Sequence, residues 1–281
     1  MALDVAHLRT WIGRQETIAD PMPLFPAAAL AATLDRENAP GAGDALPPLW
    51  HWIYFRESHQ SAELAENGHV RLGGFLPPVP LPRRMFAGAR LSFPRPLRIG
   101  EAARRVSTIA DVSLKQGASG EMVFVTVRNE ISGPGGPAIV EEQDLVYREA
   151  PRTGAPAPAL RRSSNRAVWK REMTFDVSLL FRYSALLFNA YRIHYDRPYA
   201  LEQGYAGLVV HGQLIATFLA DLVRRNTDAP IKAFRFRSVS PLVDGAPCVL
   251  CGMPDGNTVN LWAEDGNGAL IAQAEAELSA Q

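Results

Sequence analysis

Only two cysteines occur in 281 residues, and neither sign of charge is in surplus: 29 Lys plus Arg stand against 29 Asp plus Glu. That balance excludes a sequence-independent nucleic-acid binder, which needs a basic excess to displace counterions from phosphates. No apolar run approaches the roughly 20 residues of a membrane-spanning helix. Met1 to Arg14 is interrupted by Asp4, His7 and Arg9, so it lacks the apolar stretch of a secretory signal. These absences predict a cytoplasmic protein that engages neither nucleic acid nor membrane. Cys248 and Cys251 have a metal-like spacing, but no other cysteine exists to complete a second ligand pair. In the strand-like Pro247-Cys248-Val249-Leu250-Cys251, an offset of three sends the thiols to opposite faces. No metal site is expected there. What is present, 47 % apolar residues against 21 % charged, suffices for a sizeable core.

Along the chain, Val5 to Gly13 reads as a short helix ended by glycine, and residues 26–36 as a second one. Phe75 to Pro82 carries four prolines in eight residues and reads as an extended connector. Strands are expected at Ser107 to Leu114, Glu121 to Arg128 and Ile139 to Arg148, the first two joined by a glycine-bearing hairpin. The Ala/Pro/Arg-rich stretch Glu149 to Arg166 has almost no large apolar residue and reads as a linker. Beyond it come a strand near Lys170 to Phe175, a helical segment from Ser178 to Asn189, and the clearest helix of all, Gly212 to Arg225. Leu214, Ile215, Phe218, Leu219, Leu222 and Val223 give that helix one apolar face, with Asp221 expected on the other side. Phe234 to Arg237, Val259 to Ala263 and Leu270 to Leu278 alternate as strands around two hairpin turns. A short repeat, Pro96-Leu97-Arg98-Ile99-Gly100 and Pro241-Leu242-Val243-Asp244-Gly245, points to two similar α+β units. The expected organisation is therefore 1–150, a linker at 151–168, and 169–281.

The chemically informative stretch is Phe188-Asn189-Ala190-Tyr191-Arg192-Ile193-His194-Tyr195-Asp196, followed by Val210-His211-Gly212 at the start of the long helix. The first N–H groups of a helix lack internal partners and can donate to an oxygen that gains negative charge. An imidazole such as His194 can take a proton from water near neutral pH. A metal reading through His194, Asp196 and His211 is an alternative from the same residues.

Phe188 to Gly212 resembles the hot-dog hydratases and dehydratases of the MaoC type, the R-specific enoyl-CoA hydratases. Their motif places an Asp five residues before a His, then a His-Gly at the start of the central helix; here these fall on Asn189, His194 and His211-Gly212. The likeness is closer to the double-hot-dog mesaconyl-CoA and itaconyl-CoA hydratases, related to mitochondrial hydroxyacyl-thioester dehydratase. Leu46 to Trp52, Phe75 to Met85 and Phe188 to Tyr199 carry it. The resemblance implies a tandem hot-dog fold, two antiparallel sheets each wrapping a helix, with the N-terminal helix degenerate or replaced by the proline-rich segment. It implies a catalytic second half, an acyl-pocket first half, an acyl-CoA substrate and no cofactor, in a monomer or homodimer. His194 would be the base, and Gly212 with His211 would receive the thioester.

Asn189 departs from the family's Asp, and an amide cannot accept and release a proton as a carboxylate does. Two readings are open: Asn189 orients the water while His194 does all the proton transfer, or a carboxylate such as Asp196 supplies the missing function, its alternative being a capping role. A thioesterase would ordinarily want a carboxylate on the helix, and Gly212 to Ala220 has none. A non-catalytic acyl-CoA-binding module is the remaining class. For a dicarboxylic acyl group an arginine is the natural partner of the distal carboxylate. Arg83, Arg84 and Arg192 are the candidates, Arg192 either beside His194 or toward the CoA phosphates. Replacing Arg83 or Arg84 is expected to raise KM for a dicarboxylic acyl-CoA more than for crotonyl-CoA; equal effects in steady-state kinetics would remove the assignment.

Overall fold

The computed structural model describes residues 3–117, 120–149, 161–163 and 166–279. Its strands are β1 (Gln15–Asp20), β2 (Arg83–Ser92), β3 (Ala103–Gly117), β4 (Gly120–Gly133), β5 (Gly136–Arg148), β6 (Trp169–Thr174), β7 (Ile231–Ser238), β8 (Pro247–Asp255), β9 (Thr258–Asp265) and β10 (Leu270–Leu278). The helices are α1 (Val5–Arg9), α2 (Leu24–Thr33), α3 (Val177–Leu187), α4 (Arg197–Glu202) and α5 (Gly212–Asn226). All ten strands form one antiparallel sheet in the order β1-β3-β4-β5-β2-β7-β10-β9-β8-β6. Each half repeats one pattern: its first strand lies outermost, its second at the centre of the molecule. The two expected sheets are thus fused edge to edge through β2 and β7. Most of the expected linker, 151–168, lies outside the described residues. Among the described residues no helix is long and apolar enough to cross a membrane.

The seam explains why β2 is invisible in the sequence. It pairs Gly88 with Arg237, Ala89 with Phe236 and Leu91 with Phe234, and a bulge between Phe86 and Gly88 bends it. A Cβ on Gly88 would stand 2.4 Å from the Phe236 carbonyl oxygen, so only glycine admits this approach. With arginines and small residues through its length, β2 shows no apolar alternation. Strand β1 is also masked by polar composition, as suits an edge strand.

The P-L-x-x-G repeat is structural. Ala45 bridges Arg98 in the first half, and Val209 bridges Val243 in the second. Ile99 donates to the Asp44 carbonyl at 3.1 Å, as Asp244 does to the Leu208 carbonyl at 2.8 Å. Gly100 and Gly245 both turn with positive φ, +88° and +74°. In this register Pro47-Pro48 occupies the place of His211-Gly212. Where α5 begins in the second half, the first half has Leu49 at φ +69° and then a single 3₁₀ turn, Trp50–Ile53. A left-handed residue ends right-handed winding at once. The first-half helix is therefore degenerate, and the space it would fill over β2 to β5 is left to an irregular excursion ending in the proline-rich segment.

In contrast, α5 is buried from Leu214 to Val223 without a gap. Asp221, expected on its solvated side, is 1 % exposed. It receives Arg36 from beyond α2, Arg171 from β6, and Arg225 one turn on, at 2.5, 3.2 and 2.6 Å. Arg225 also donates to the carbonyls of Leu34 and Asp35 at 2.9 and 3.0 Å, tying the end of α2 to the end of α5. The two cysteines lie in separate buried clusters, and burial pushes their thiols up to about 12 and about 11. Both are inert packing residues.

Removing one partner of a buried ion cluster leaves uncompensated charge, at a cost of about 3–5 kcal/mol. Asp221→Asn is therefore expected to lower unfolding free energy in urea by that order, with little loss if the cluster is only decorative.

Candidate active site

The candidate segment is built by local rules. Asp176 caps α3 by accepting from the Leu179 N–H at 2.7 Å. Phe188, at φ +53°, terminates it, and the Asn189 N–H returns to the Ser184 carbonyl at 2.8 Å. The chain then makes a 3₁₀ turn, Arg192–His194. Asp196 caps α4, accepting from the Tyr199 N–H at 3.2 Å. It also accepts from Arg192 Nε at 2.9 Å, and this bond with Arg192 holds its carboxyl below the usual range. The capping role is the one the structure gives Asp196.

His194 is 8 % exposed. Its Nδ1 lies 2.7 Å from the Val209 carbonyl oxygen, which only accepts, so Nδ1 carries the proton and Nε2 keeps its lone pair. Nε2 has no partner among the described residues and the side chain lines a cavity of about 1780 Å³. Burial lowers the imidazole to about 4, so it is neutral at pH 7. The Val209 carbonyl is fixed by the second copy of the repeat: Asp244 bonds the Leu208 N–H at 2.8 Å and Val209 bridges Val243.

The His211 ring stacks on His194 with centroids 3.6 Å apart at 16°. Its Nε2 is 2.9 Å from Ser184 Oγ on α3. Burial first, and His194 second, hold it well below the usual histidine range, so both stacked rings are neutral at rest at neutral pH. As the N-cap of α5, His211 offers its carbonyl to Leu214 and Ile215 at 3.0 and 3.2 Å. The N–H groups of Gly212 and Gln213 have no partner among the described residues, as a helix start requires. Gly212 borders the same cavity, and a Cβ there would stand 3.1 Å from Phe86 Cδ1 and 3.3 Å from Ser238 Oγ. The structure therefore brings together His194, His211 and Gly212, with a base and free helix donors meeting at one hollow.

Asn189 also borders that hollow, but its Oδ1 is committed to the Tyr191 N–H at 3.0 Å. Its Nδ2 hydrogens are left to hold a water through the water's oxygen, and an amide cannot take the water's proton. Two of the three arginines lie elsewhere. Arg83 turns from the cavity, packed over the Tyr205 ring at 4.8 Å, because neighbours on a strand point to opposite faces. Arg192, on a 3₁₀ turn and not a strand, does not share the face of His194. It pairs with Asp196, covers Tyr199 at 4.2 Å and donates to the Glu66 carbonyl at 3.2 Å. Arg84 alone reaches the cavity, where its Nη2 contacts His69 Nδ1.

His69, Ser184, Phe86 and the Val209 carbonyl belong to the site and carry no motif. Nor does Glu141, a fully buried carboxylate on β5 that accepts from Trp52 Nε1, Asn129 Nδ2 and Gln143 Nε2 at 2.6, 3.0 and 2.9 Å. That network fixes the wall of the cavity within the first half. No group of three or more His, Cys, Asp or Glu side chains placed to hold a metal ion occurs among the described residues.

Residues 49–244 match the family described as hydroxyacyl-thioester dehydratase type 2. A Mesaconyl-C(4)-CoA hydratase from Chloroflexus aurantiacus is 49 % identical over 278 residues, covering 97 % of this chain and 98 % of that one. A MaoC-like dehydratase from Phytophthora capsici superposes with a TM-score of 0.70 at 14 % identity, covering 98 % of each chain. A Mycobacterium tuberculosis protein described as having a double hot-dog fold gives 0.56 at 12 % identity, over 95 % of this chain and 96 % of that one. These two structural likenesses concern the fold alone. Family match, near-full-length relative and tandem sheet agree, and the chain belongs to the hydroxyacyl-thioester dehydratase type 2 family, hydro-lyases on a double hot-dog fold.

Proposed function

We propose that the protein catalyses reversible addition of water to the double bond of an enoyl-CoA, with mesaconyl-C4-CoA, a 2-enoyl thioester, or itaconyl-CoA, whose double bond lies one carbon farther from the thioester, hydrated to citramalyl-CoA. The observation that carries this reading is the neutral His194, its Nε2 open to the cavity and its ring stacked on His211, with the free N–H of Gly212 bordering the same cavity. The thioester carbonyl accepts from Gly212, whose donor strengthens as the oxygen becomes an enolate. His194 Nε2 takes a proton from water, and the hydroxide adds to the β carbon. For mesaconyl-C4-CoA the imidazolium then returns that proton to the α carbon, so H and OH are added and the imidazole is restored. Asn189 Nδ2 holds the water, and His211 keeps the base in place from behind. Water, His194 and Gly212 account for every proton and electron pair, so the reaction calls for no cofactor. The 49 % identical relative supports the C5 dicarboxylic acyl group. The role would be in itaconate or related C5-dicarboxylate breakdown in the cytoplasm, in a monomer or homodimer.

A second reading has an observation of its own. The cavity runs from Gly212 beyond Leu145 and Val127 to Ser107 and Glu16, across the whole first-half sheet. Its volume exceeds the range of roughly 300–1,000 Å³ for small-ligand sites. A (3R)-hydroxyacyl-thioester dehydratase acting on unbranched chains would use that length.

Loss of enoyl-thioester absorbance across mesaconyl-C4-CoA, crotonyl-CoA and a longer enoyl-CoA, with chromatographic detection of the hydrated product for itaconyl-CoA, separates these readings, and activity is expected to survive a chelator. His194→Ala should lower kcat at least ~100-fold while acyl-CoA binding persists; full activity would exclude His194 as the base. Because burial holds His194 down to about 4, the base form persists as pH falls. kcat/KM is expected to stay level from about pH 8 to about pH 6 and to drop only on approach to that value, whereas a limb near the ordinary histidine range would identify a different base.

A further inference from the structure

Loop 65–69, from the first half, is docked on the catalytic segment of the second. Gly68 has φ +89°, and a Cβ there would lie 1.7 Å from the Ala190 carbonyl oxygen, so no other residue fits. The Arg192 N–H donates to the Asn67 carbonyl at 3.0 Å, and Asn67 Oδ1 accepts from the His69 N–H at 2.9 Å. His69 is thereby laid on the Tyr191 ring, centroids 4.1 Å apart, and Tyr191 meets His194 edge-on at 5.6 Å. The first half thus places a polar side chain one ring away from the base.

The contact with Arg84 fixes what His69 offers. A guanidinium only donates, so His69 Nδ1 must accept, and the proton sits on Nε2. Burial and the neighbouring guanidinium both oppose a second proton. Nε2 has no partner among the described residues, and His69 borders the same cavity as His194. Arg84 has no ion pair among the described residues. A neutral N–H donor and a free cation therefore stand together on the wall beside the base.

We propose that His69 and Arg84 together bind a carboxylate borne on the β carbon of the substrate, so that the first half selects the acyl group on which the second half acts. This rests on the hydratase reading of the same site. A group one bond from the β carbon must lie close to the base that delivers hydroxide there, and the His69–Tyr191–His194 row meets that condition. Arg84 and Phe86 are two residues apart on β2, about 7 Å along a strand, and Phe86 is the side chain against Gly212. Thioester carbonyl at Gly212 and distal carboxylate at Arg84 fit the two ends of a short diacid. A methyl in that position leaves buried donors unpaired, the kind of loss by which a polar site rejects an apolar analogue.

The test compares kcat and KM for mesaconyl-C4-CoA and crotonyl-CoA in the wild-type chain and in His69→Leu, His69→Gln and Arg84→Gln. The wild type is expected to favour the diacid by at least ~100-fold in kcat/KM. His69→Leu and Arg84→Gln should cut that ratio at least ~10-fold, chiefly through KM, because a donor to the carboxylate is lost. His69→Gln keeps an N–H near the place of Nε2 and should recover part of it, and it decides the matter with Arg84→Gln if His69→Leu does not fold. Equal losses on both substrates, or an unchanged ratio, overturn the proposal. A wild type that hydrates crotonyl-CoA but not the diacid overturns it while leaving the hydratase reading standing; a folded wild type that hydrates neither overturns the hydratase reading itself.

Discussion

A basic imidazole kept out of water is the constraint on which the site depends. Water would favour the charged form of His194; burial removes it and leaves a lone pair at Nε2 at neutral pH. That desolvation is tolerable only because the other nitrogen is satisfied by the Val209 carbonyl and the ring face by His211. Each support is itself held: Val209 by the turn at Asp244, His211 by Ser184 and by the start of α5. Rigid elements at every remove fix the position of a side chain carried on a short irregular segment.

The second constraint is the seam between β2 and β7. With Gly88 against the Phe236 carbonyl, the halves are one sheet, and residues far apart in sequence share one wall. The halves have then diverged around a common scaffold. In the second, α5 fills the concave side and supplies free N–H groups at its start. In the first, Pro47-Pro48 and a left-handed Leu49 stop the corresponding helix, and the room is divided between a cavity and the loop carrying His69. One half gives up packing so that the other has something to act on.

Elements with strong periodicity are legible in the amino-acid order alone: α5, β3 to β5 and the final strands declare themselves by alternation or by an apolar helical face. The strand β2 is not, because seam packing selects small residues and bulges over β-branched ones. The surroundings of Asp221 mislead for a related reason. A single carboxylate on an apolar helix reads as solvent-facing, and only the arrival of Arg36, Arg171 and Arg225 from three separate segments makes its burial tolerable. Arg83 and Arg84 are indistinguishable as letters, and the pleat alone decides that one covers Tyr205 and the other meets the cavity.

By itself the sequence determined the repeat, the long helix, and the candidates His194, His211 and Gly212, since these rest on local spacing and on chemistry that particular residue types carry. Tertiary structure decided which nitrogen of His194 is free, that Asp196 is a cap, that the Asn189 carbonyl oxygen is engaged by the Tyr191 N–H, and that His69 from the other half lines the same cavity as His194. Such outcomes depend on burial and on partners distant in the chain, and neither is encoded in the spacing of neighbouring residues.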